Sequence, residues 1–206
     1  MLSLNDSFLP LPPLFYSFSQ GLHHLQVQGV CHRDLSLENV LVHGDRCMII
    51  DMGMCLRVPY GDPRADSEAV TDVTRGTTRR LMRPQGVCGK HNYMSPEIFA
   101  NTDNFDGFAI DLWAAGVILY IMLTGFPPYD QASRTDQRFE LIVTGRMIDQ
   151  LRNWDIMLSG EAGDLMQSML QLDPSDRLTL AEIMAHPWVA NENVETPQNT
   201  EPLPFY

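Results

Sequence analysis

The stretch from Leu112 to Phe126 carries no charge and is apolar almost throughout. A bilayer span needs about 20 such residues, and this run is shorter and begins beside Asp111. It therefore predicts a buried core helix over residues 107–124, ended at Thr124-Gly125 and followed by the rigid turn Phe126-Pro127-Pro128-Tyr129. A buried helix needs enough chain to enclose it, and 206 residues with 44% apolar and 19% charged content suffice for one domain with a substantial core. The net charge of −12 argues against nucleic acid or an anionic membrane as partner, though a local basic patch remains compatible with it. Cys31, Cys47, Cys55 and Cys88 form no Cys-x-x-Cys pair and suit a reducing compartment. A zinc site from Cys31 with His23, His24 and His32 matches no common ligand spacing. Residues 1–14 lack a basic start, and prolines interrupt their apolar residues, so they do not read as a signal peptide.

Other elements follow from periodicity. Residues 1–13 read as a flexible, proline-rich lead. From Leu14 to about Gln28, Phe15, Phe18, Leu22 and Leu25 recur at helical spacing, with Gly29 as a stop. Val40-Leu41-Val42 and Cys47-Met48-Ile49-Ile50 read as two strands joined by a tight turn at His43-Gly44-Asp45-Arg46. Residues 135–153 are rich in apolar side chains, and residues 161–172 place Ala162, Leu165, Met166 and Met169 at near-helical spacing. Leu180 to Met184 begins a last helix, closed by His186-Pro187-Trp188. Residues 191–206 are polar with three prolines and read as a disordered tail.

Three motifs sit on this framework in order. The first is His32-Arg33-Asp34-Leu35 with Asn39 five residues after the Asp. The second is Asp51-Met52-Gly53, delivered by the hairpin. The third is Tyr93-Met94-Ser95-Pro96-Glu97. Together they resemble the catalytic loop, the Asp-Phe-Gly turn and the Ala-Pro-Glu end of the activation segment of eukaryotic-type protein kinases. The resemblance covers residues 14–190. Asp173-Pro174-Ser175-Asp176-Arg177 and His186-Pro187-Trp188 look like the Ser/Thr class, in particular its calcium/calmodulin-dependent members. The implied fold is mainly α: a protein-kinase-like C-terminal lobe, a helical bundle with a short β-hairpin carrying the catalytic and metal-binding loops, with the N-terminal lobe missing. The chain has no Gly-x-Gly pair and a single lysine, Lys90. The family's phosphate-covering loop and its strand lysine are therefore absent from these residues.

The resemblance also implies roles. Asp34 orients the attacking hydroxyl, and Asn39 and Asp51 hold Mg2+ beside the phosphates of ATP. Arg33 pairs with a regulatory phosphate, for which Thr71, Thr74, Thr77 and Thr78 are candidate sites. His32, Asp111, Glu97 and Arg177 are structural support. Asp111 holds the backbone of the catalytic loop, or else is a simple helix N-terminal charge. Arg177 pairs with Glu97. Residues 61–68 are turn-rich and read as mobile. The stretch from Arg75 to Lys90, basic without an acidic residue, reads either as a solvated loop or as a docking surface for an acidic partner or an intramolecular phosphate.

Two positions depart from the family pattern. Ser36 stands where Ser/Thr kinases usually carry Lys, and Lys90 stands where they usually carry Thr. We expect that the ammonium and the hydroxyl have exchanged places, because a charge acts by its position rather than by the backbone that carries it. The competing reading is a decayed site with Lys90 as an exposed loop residue.

The implied function is ATP- and Mg2+-dependent phosphoryl transfer to Ser or Thr of a protein substrate, in the cytoplasm or the nucleus. Activity of these residues alone is expected to be little or none. The alternative is a pseudokinase-like scaffold without catalysis. In either case a missing N-lobe or a regulatory protein is an expected partner. Met52, Leu35 and Leu41 are expected to face water in its absence, which would make the isolated chain aggregation-prone.

Overall fold

The computed structural model describes residues 11–61, 70–72 and 77–190. Helix α1 (Leu11–Val27) buries Phe15, Phe18, Leu22 and Leu25 along one face. It starts inside the stretch read as a flexible lead, because Pro12 and Pro13 fall in its first turn, where a missing N–H costs nothing. Strand β1 (Val30–Cys31) follows and pairs antiparallel with β4 (Leu56–Arg57). Between them, β2 (Val40–His43) and β3 (Arg46–Ile49) form the hairpin, in the register Val40 opposite Ile49.

The strands do not stop at that hairpin, contrary to the single short hairpin read from sequence. β5 (Tyr60–Gly61), β6 (Val70–Asp72) and β7 (Thr77–Arg79) build a third small antiparallel sheet, in the order β5-β7-β6. Part of the basic stretch after Arg75 is thus strand rather than solvated loop. Its β-branched residues carry little period-2 signal in so short a run.

The remaining helices are α2 (Pro96–Ala100), α3 (Gly107–Thr124), α4 (Gln137–Val143), α5 (Met147–Asn153), α6 (Gly160–Met169) and α7 (Leu180–Ala185). Helix α3 is the axis of the molecule. It is long and apolar enough to cross a membrane, but 78% of it is buried by its neighbours, as in a core helix. Asp106 caps it by accepting from Phe108 N, and Gly125 ends it with φ 84°, where a side chain would be strained. Trp113, Val117 and Leu119 of α3 pack with Phe15 and Leu22 of α1 and with Leu165 and Met169 of α6. Each large side chain so buried contributes about 1.5–3 kcal/mol. The apolar stretch 135–153 divides into α4 and α5 at Gly145.

A second cluster lies beneath the stretch before α2. It joins Cys31, Val58, Met82, Met94, Ile98, Phe105, Phe108 and Ile110. It anchors the activation segment to the N-terminal end of α3. Met52 and Leu41 are exposed, each at 48%, whereas Leu35 is only 2% exposed, contrary to expectation. Leu35 turns inward into the main core beside Tyr93 and Leu112.

Candidate active site

The catalytic-loop stretch has little regular structure, so its shape depends on side chains. Asp111, on the first turns of α3, accepts from His32 N at 2.6 Å and from Arg33 N at 2.8 Å. These bonds hold Arg33 at φ 70°, a left-handed conformation that a non-glycine residue adopts only at a cost of about 1–2 kcal/mol. Burial pushes the Asp111 carboxyl up to about 6, against the opposing pull of the two backbone N–H groups.

His32 is fully buried and ties the loop to the turn beyond the hairpin. Asp34 N donates to His32 Nδ1 at 3.3 Å, and Nε2 lies 3.0 Å from the carbonyl of Ile50. A carbonyl only accepts, so Nε2 carries the hydrogen and Nδ1 is the acceptor. Ile50 N in turn donates to the Asn39 carbonyl at 2.9 Å. Asp51, next along, has φ 62° and ψ 73° and accepts from Gly53 N at 3.3 Å. The hairpin register thus sets Asp51 beside Asn39.

Asn39 Nδ2 donates to the Asp34 carbonyl at 2.7 Å and to Asp34 Oδ2 at 3.3 Å. The amide nitrogen faces Asp34, which leaves Oδ1 of Asn39 as an acceptor. An amide oxygen and the Asp51 carboxylate are hard donors of the kind Mg2+ takes together with phosphates and water, so these residues fit the metal. Asp34 Oδ1 is buried without a hydrogen-bond partner.

The activation segment closes over this loop. Lys90 Nζ donates to the buried Ser36 Oγ at 2.7 Å and lies 3.5 Å from Glu38 Oε2. Gly89 has φ 89°, and a Cβ there would lie 3.0 Å from the Arg33 carbonyl oxygen. Only glycine allows this approach. Arg33 turns its guanidinium to this segment as well: Nη2 donates to Cys88 Sγ at 2.9 Å and Nη1 to the Met54 carbonyl at 3.5 Å.

Of the candidate phosphosites, Thr78 is buried on β7 opposite Gly61 and Thr71, Thr71 lies on β6, and Thr77 pairs with Asp72. Thr74 lies outside the described residues.

Glu97 and Arg177 meet through two bonds of 2.7 and 2.8 Å. Arg177 also donates to the carbonyls of Ala109 and Gln171, and its guanidinium lies 4.9 Å from the Trp113 ring centre. One pair escaped the sequence reading. Arg79 of β7 donates to both carboxylate oxygens of Asp106, at 3.0 and 2.6 Å, and stacks over Phe108. An Asp just before an apolar helix is a legible N-cap, but its second partner is not.

Comparison with known proteins agrees with this geometry. The protein kinase domain family model matches residues 11–189. The chain is 34% identical over 172 residues to mouse serine/threonine-protein kinase DCLK3, covering 82% of this chain and 19% of that protein. It is 33% identical over 190 residues to the probable serine/threonine-protein kinase fhkE of Dictyostelium discoideum, covering 88% and 24%. Mouse serine/threonine-protein kinase DCLK2 is 33% identical over 180 residues, covering 87% and 21%. The chain therefore spans about a fifth of the length of the curated relatives it matches. With a family match along nearly its whole length, and its motif residues gathered around one loop, the chain belongs to the protein kinase family.

Proposed function

We propose that the protein containing this chain transfers the γ-phosphoryl group of ATP to a Ser or Thr hydroxyl of a protein substrate. The observation that carries this reading is the joint held by Asn39. Its side chain binds Asp34 at 2.7 Å, and its carbonyl binds the Ile50 N–H beside Asp51 at 2.9 Å. A hydroxyl-orienting carboxylate and two oxygen donors for a metal are thereby fixed relative to one another. Phosphoryl transfer depends mainly on such positioning and on charge.

In this reading Asp34 receives and orients the substrate hydroxyl. Asn39 and Asp51 hold Mg2+, which when bound neutralises charge on the phosphates. Lys90 supplies the cation at the catalytic loop, and Ser36 anchors its ammonium. The side chain reaches from the activation segment to the position next but one to Asp34, so charge is delivered where the phosphoryl group passes. Arg33, engaged by Cys88 and Met54, is available to a regulatory phosphate only if those bonds are exchanged.

The phosphate-covering loop and a second lysine come from outside these 206 residues, since Lys90 is the only lysine here. The exposed apolar side chains of Leu41, Val42, Met48 and Met52 support a packed partner on that face, either a further lobe or a regulatory protein. The 206 residues alone are accordingly inactive or nearly so.

The test uses the full-length protein with γ-labelled ATP, Mg2+ and a protein substrate. Label on Ser or Thr that is lost with Asp34→Asn supports the reading. ATP binding without transfer under conditions that activate related kinases favours the pseudokinase-like scaffold.

A further inference from the structure

We propose that the cavity between the end of α1, the start of α3 and the turn before α7 binds a neutral, largely apolar small molecule with a lactam-type edge, one N–H donor beside one carbonyl acceptor. No residue of the catalytic loop lines this cavity, so the site does not depend on phosphoryl transfer.

The first observation is a polar residue where the helix calls for an apolar one. The buried face of α1 runs through Phe15, Phe18, Leu22 and Leu25 and then reaches Gln26, four positions after Leu22. Gln26 is 7% exposed and lines the cavity. Its backbone carbonyl accepts from Gly29 N at 2.9 Å, but its side-chain amide has no hydrogen-bond partner among the described residues. Such an amide offers both a carbonyl acceptor and N–H donors. Left unmet, it bears the full cost of leaving water, which is why buried amides are as a rule paired.

The second observation is space. The cavity measures about 420 Å3, within the range that encloses a small organic ligand. Leu81, Phe105, Phe108, Leu112, Leu178 and Leu180 supply apolar wall.

The third is charge. The other polar side chains around the cavity are already engaged. Arg79 binds Asp106 and Arg177 binds Glu97, each pair through two bonds. The exposed Asp173 accepts from Ser175, Thr179 and Glu182 form a capping box, and Asn104 also has a partner. A charged ligand would lose its hydration here without finding a free counter-charge, whereas a neutral one would not. The single unmet group is the Gln26 amide, and its complement is a donor and an acceptor side by side. A molecule so held would join Leu81 of the activation segment to α3 and to the turn at 173–180, and its binding would add to the anchoring of that segment.

The test uses the full-length protein, with excess ADP and Mg2+ to occupy the nucleotide site. It is titrated with 2-quinolone, a flat neutral lactam, and binding is followed by saturation-transfer NMR. The expected result is saturable binding with a Kd on the order of 1 mM or tighter. N-methyl-2-quinolone keeps the carbonyl but lacks the donor, and it should bind about tenfold more weakly, the loss that goes with one neutral hydrogen bond. Gln26→Leu keeps an apolar side chain of similar size on the helix face. It should weaken 2-quinolone by about the same factor and bring the two compounds level. The comparison of the two compounds on the unaltered protein stands even if the variant does not fold. Absence of saturable 2-quinolone binding at millimolar concentration overturns the proposal. So does equal affinity of the two compounds for the unaltered protein, or equal affinity of 2-quinolone for that protein and a folded Gln26→Leu.

Discussion

Lys90 donates from Nζ to Ser36 Oγ across 2.7 Å, although the two residues stand 54 positions apart. The contact joins the activation segment to the catalytic loop through a cation on the former and a buried hydroxyl on the latter. It is consistent with an exchange of Lys and Thr between the two segments, and the Lys90 side chain stays 38% exposed. If Lys90 is the phosphate-neutralising cation, Lys90→Ala should lower the turnover of the full-length kinase on the order of 10²-fold with a smaller change in KM. The double variant Ser36→Lys with Lys90→Thr should recover most of the loss. Steady-state kinetics on the three proteins decide the matter, and unchanged turnover in Lys90→Ala would refute the exchange.

Gly89 sets the approach that makes this contact possible. With φ 89° and the Arg33 carbonyl oxygen 3.0 Å from any added Cβ, Gly89→Ala is both strained and crowded. The expected cost is about 1–3 kcal/mol, with a lowered Tm and a turnover reduced together with it, because the backbone must shift away from the catalytic loop. Thermal unfolding of the two proteins reads this. An unchanged Tm would mean that the segment yields without penalty.

Arg177 and Glu97 form a mostly buried pair, and Arg177 also donates to three backbone carbonyls, those of Ala109, Gln171 and Leu172. Removing one partner leaves the other charged and enclosed. Glu97→Gln or Arg177→Met should each destabilise the fold by about 3–5 kcal/mol, as read by urea unfolding. The double variant should cost clearly less than the sum of the two, since it leaves no uncompensated charge.

Asp111 gives the pH dependence a definite sign. Its folded value of about 6 lies above the ordinary 3.8, so the folded state binds the proton more tightly than the unfolded state. Its contribution to stability is therefore fully present below about pH 4 and is lost as pH rises through about 6, a change of about 3 kcal/mol. The difference in unfolding free energy between the wild type and Asp111→Asn should shift against the wild type over that interval. A difference that stays flat between pH 4 and pH 7 contradicts the assignment. Independently of pH, Asp111→Asn places an amide N–H₂ against one of two backbone N–H donors. The left-handed turn at Arg33 should loosen, which faster amide exchange at His32 and Arg33 would report.

Arg79 and Asp106 clamp β7 to the start of α3 with two bonds. Arg79→Ala should expose the segment around β7 to limited proteolysis several-fold faster, while the core around Trp113 keeps its protection. Equal protection of β7 in both proteins would assign the anchoring to the apolar cluster of Met82 and Phe105 instead.

Elements whose pattern is written in near neighbours were legible from the sequence. An uncharged run beside Asp111 and a following Gly125 bounded α3, and periodicity marked the buried face of α1. Two apolar runs around Gly44 gave the hairpin, and the ordered motifs gave the family and the candidate residues. What depended on distant packing was not legible. Leu35 was expected to face water on the side where a further lobe would pack, yet the fold turns it inward into the core that holds Tyr93 and Leu112. The strands β5 to β7 are too short to carry a period of their own and exist by pairing. The partners of Arg79 and Arg33 lie 27 and 55 residues away, at Asp106 and Cys88. No spacing rule reaches across such loops. Side-chain chemistry limits which groups can pair, but only the packing of the activation segment against α3 and the catalytic loop selects which ones meet.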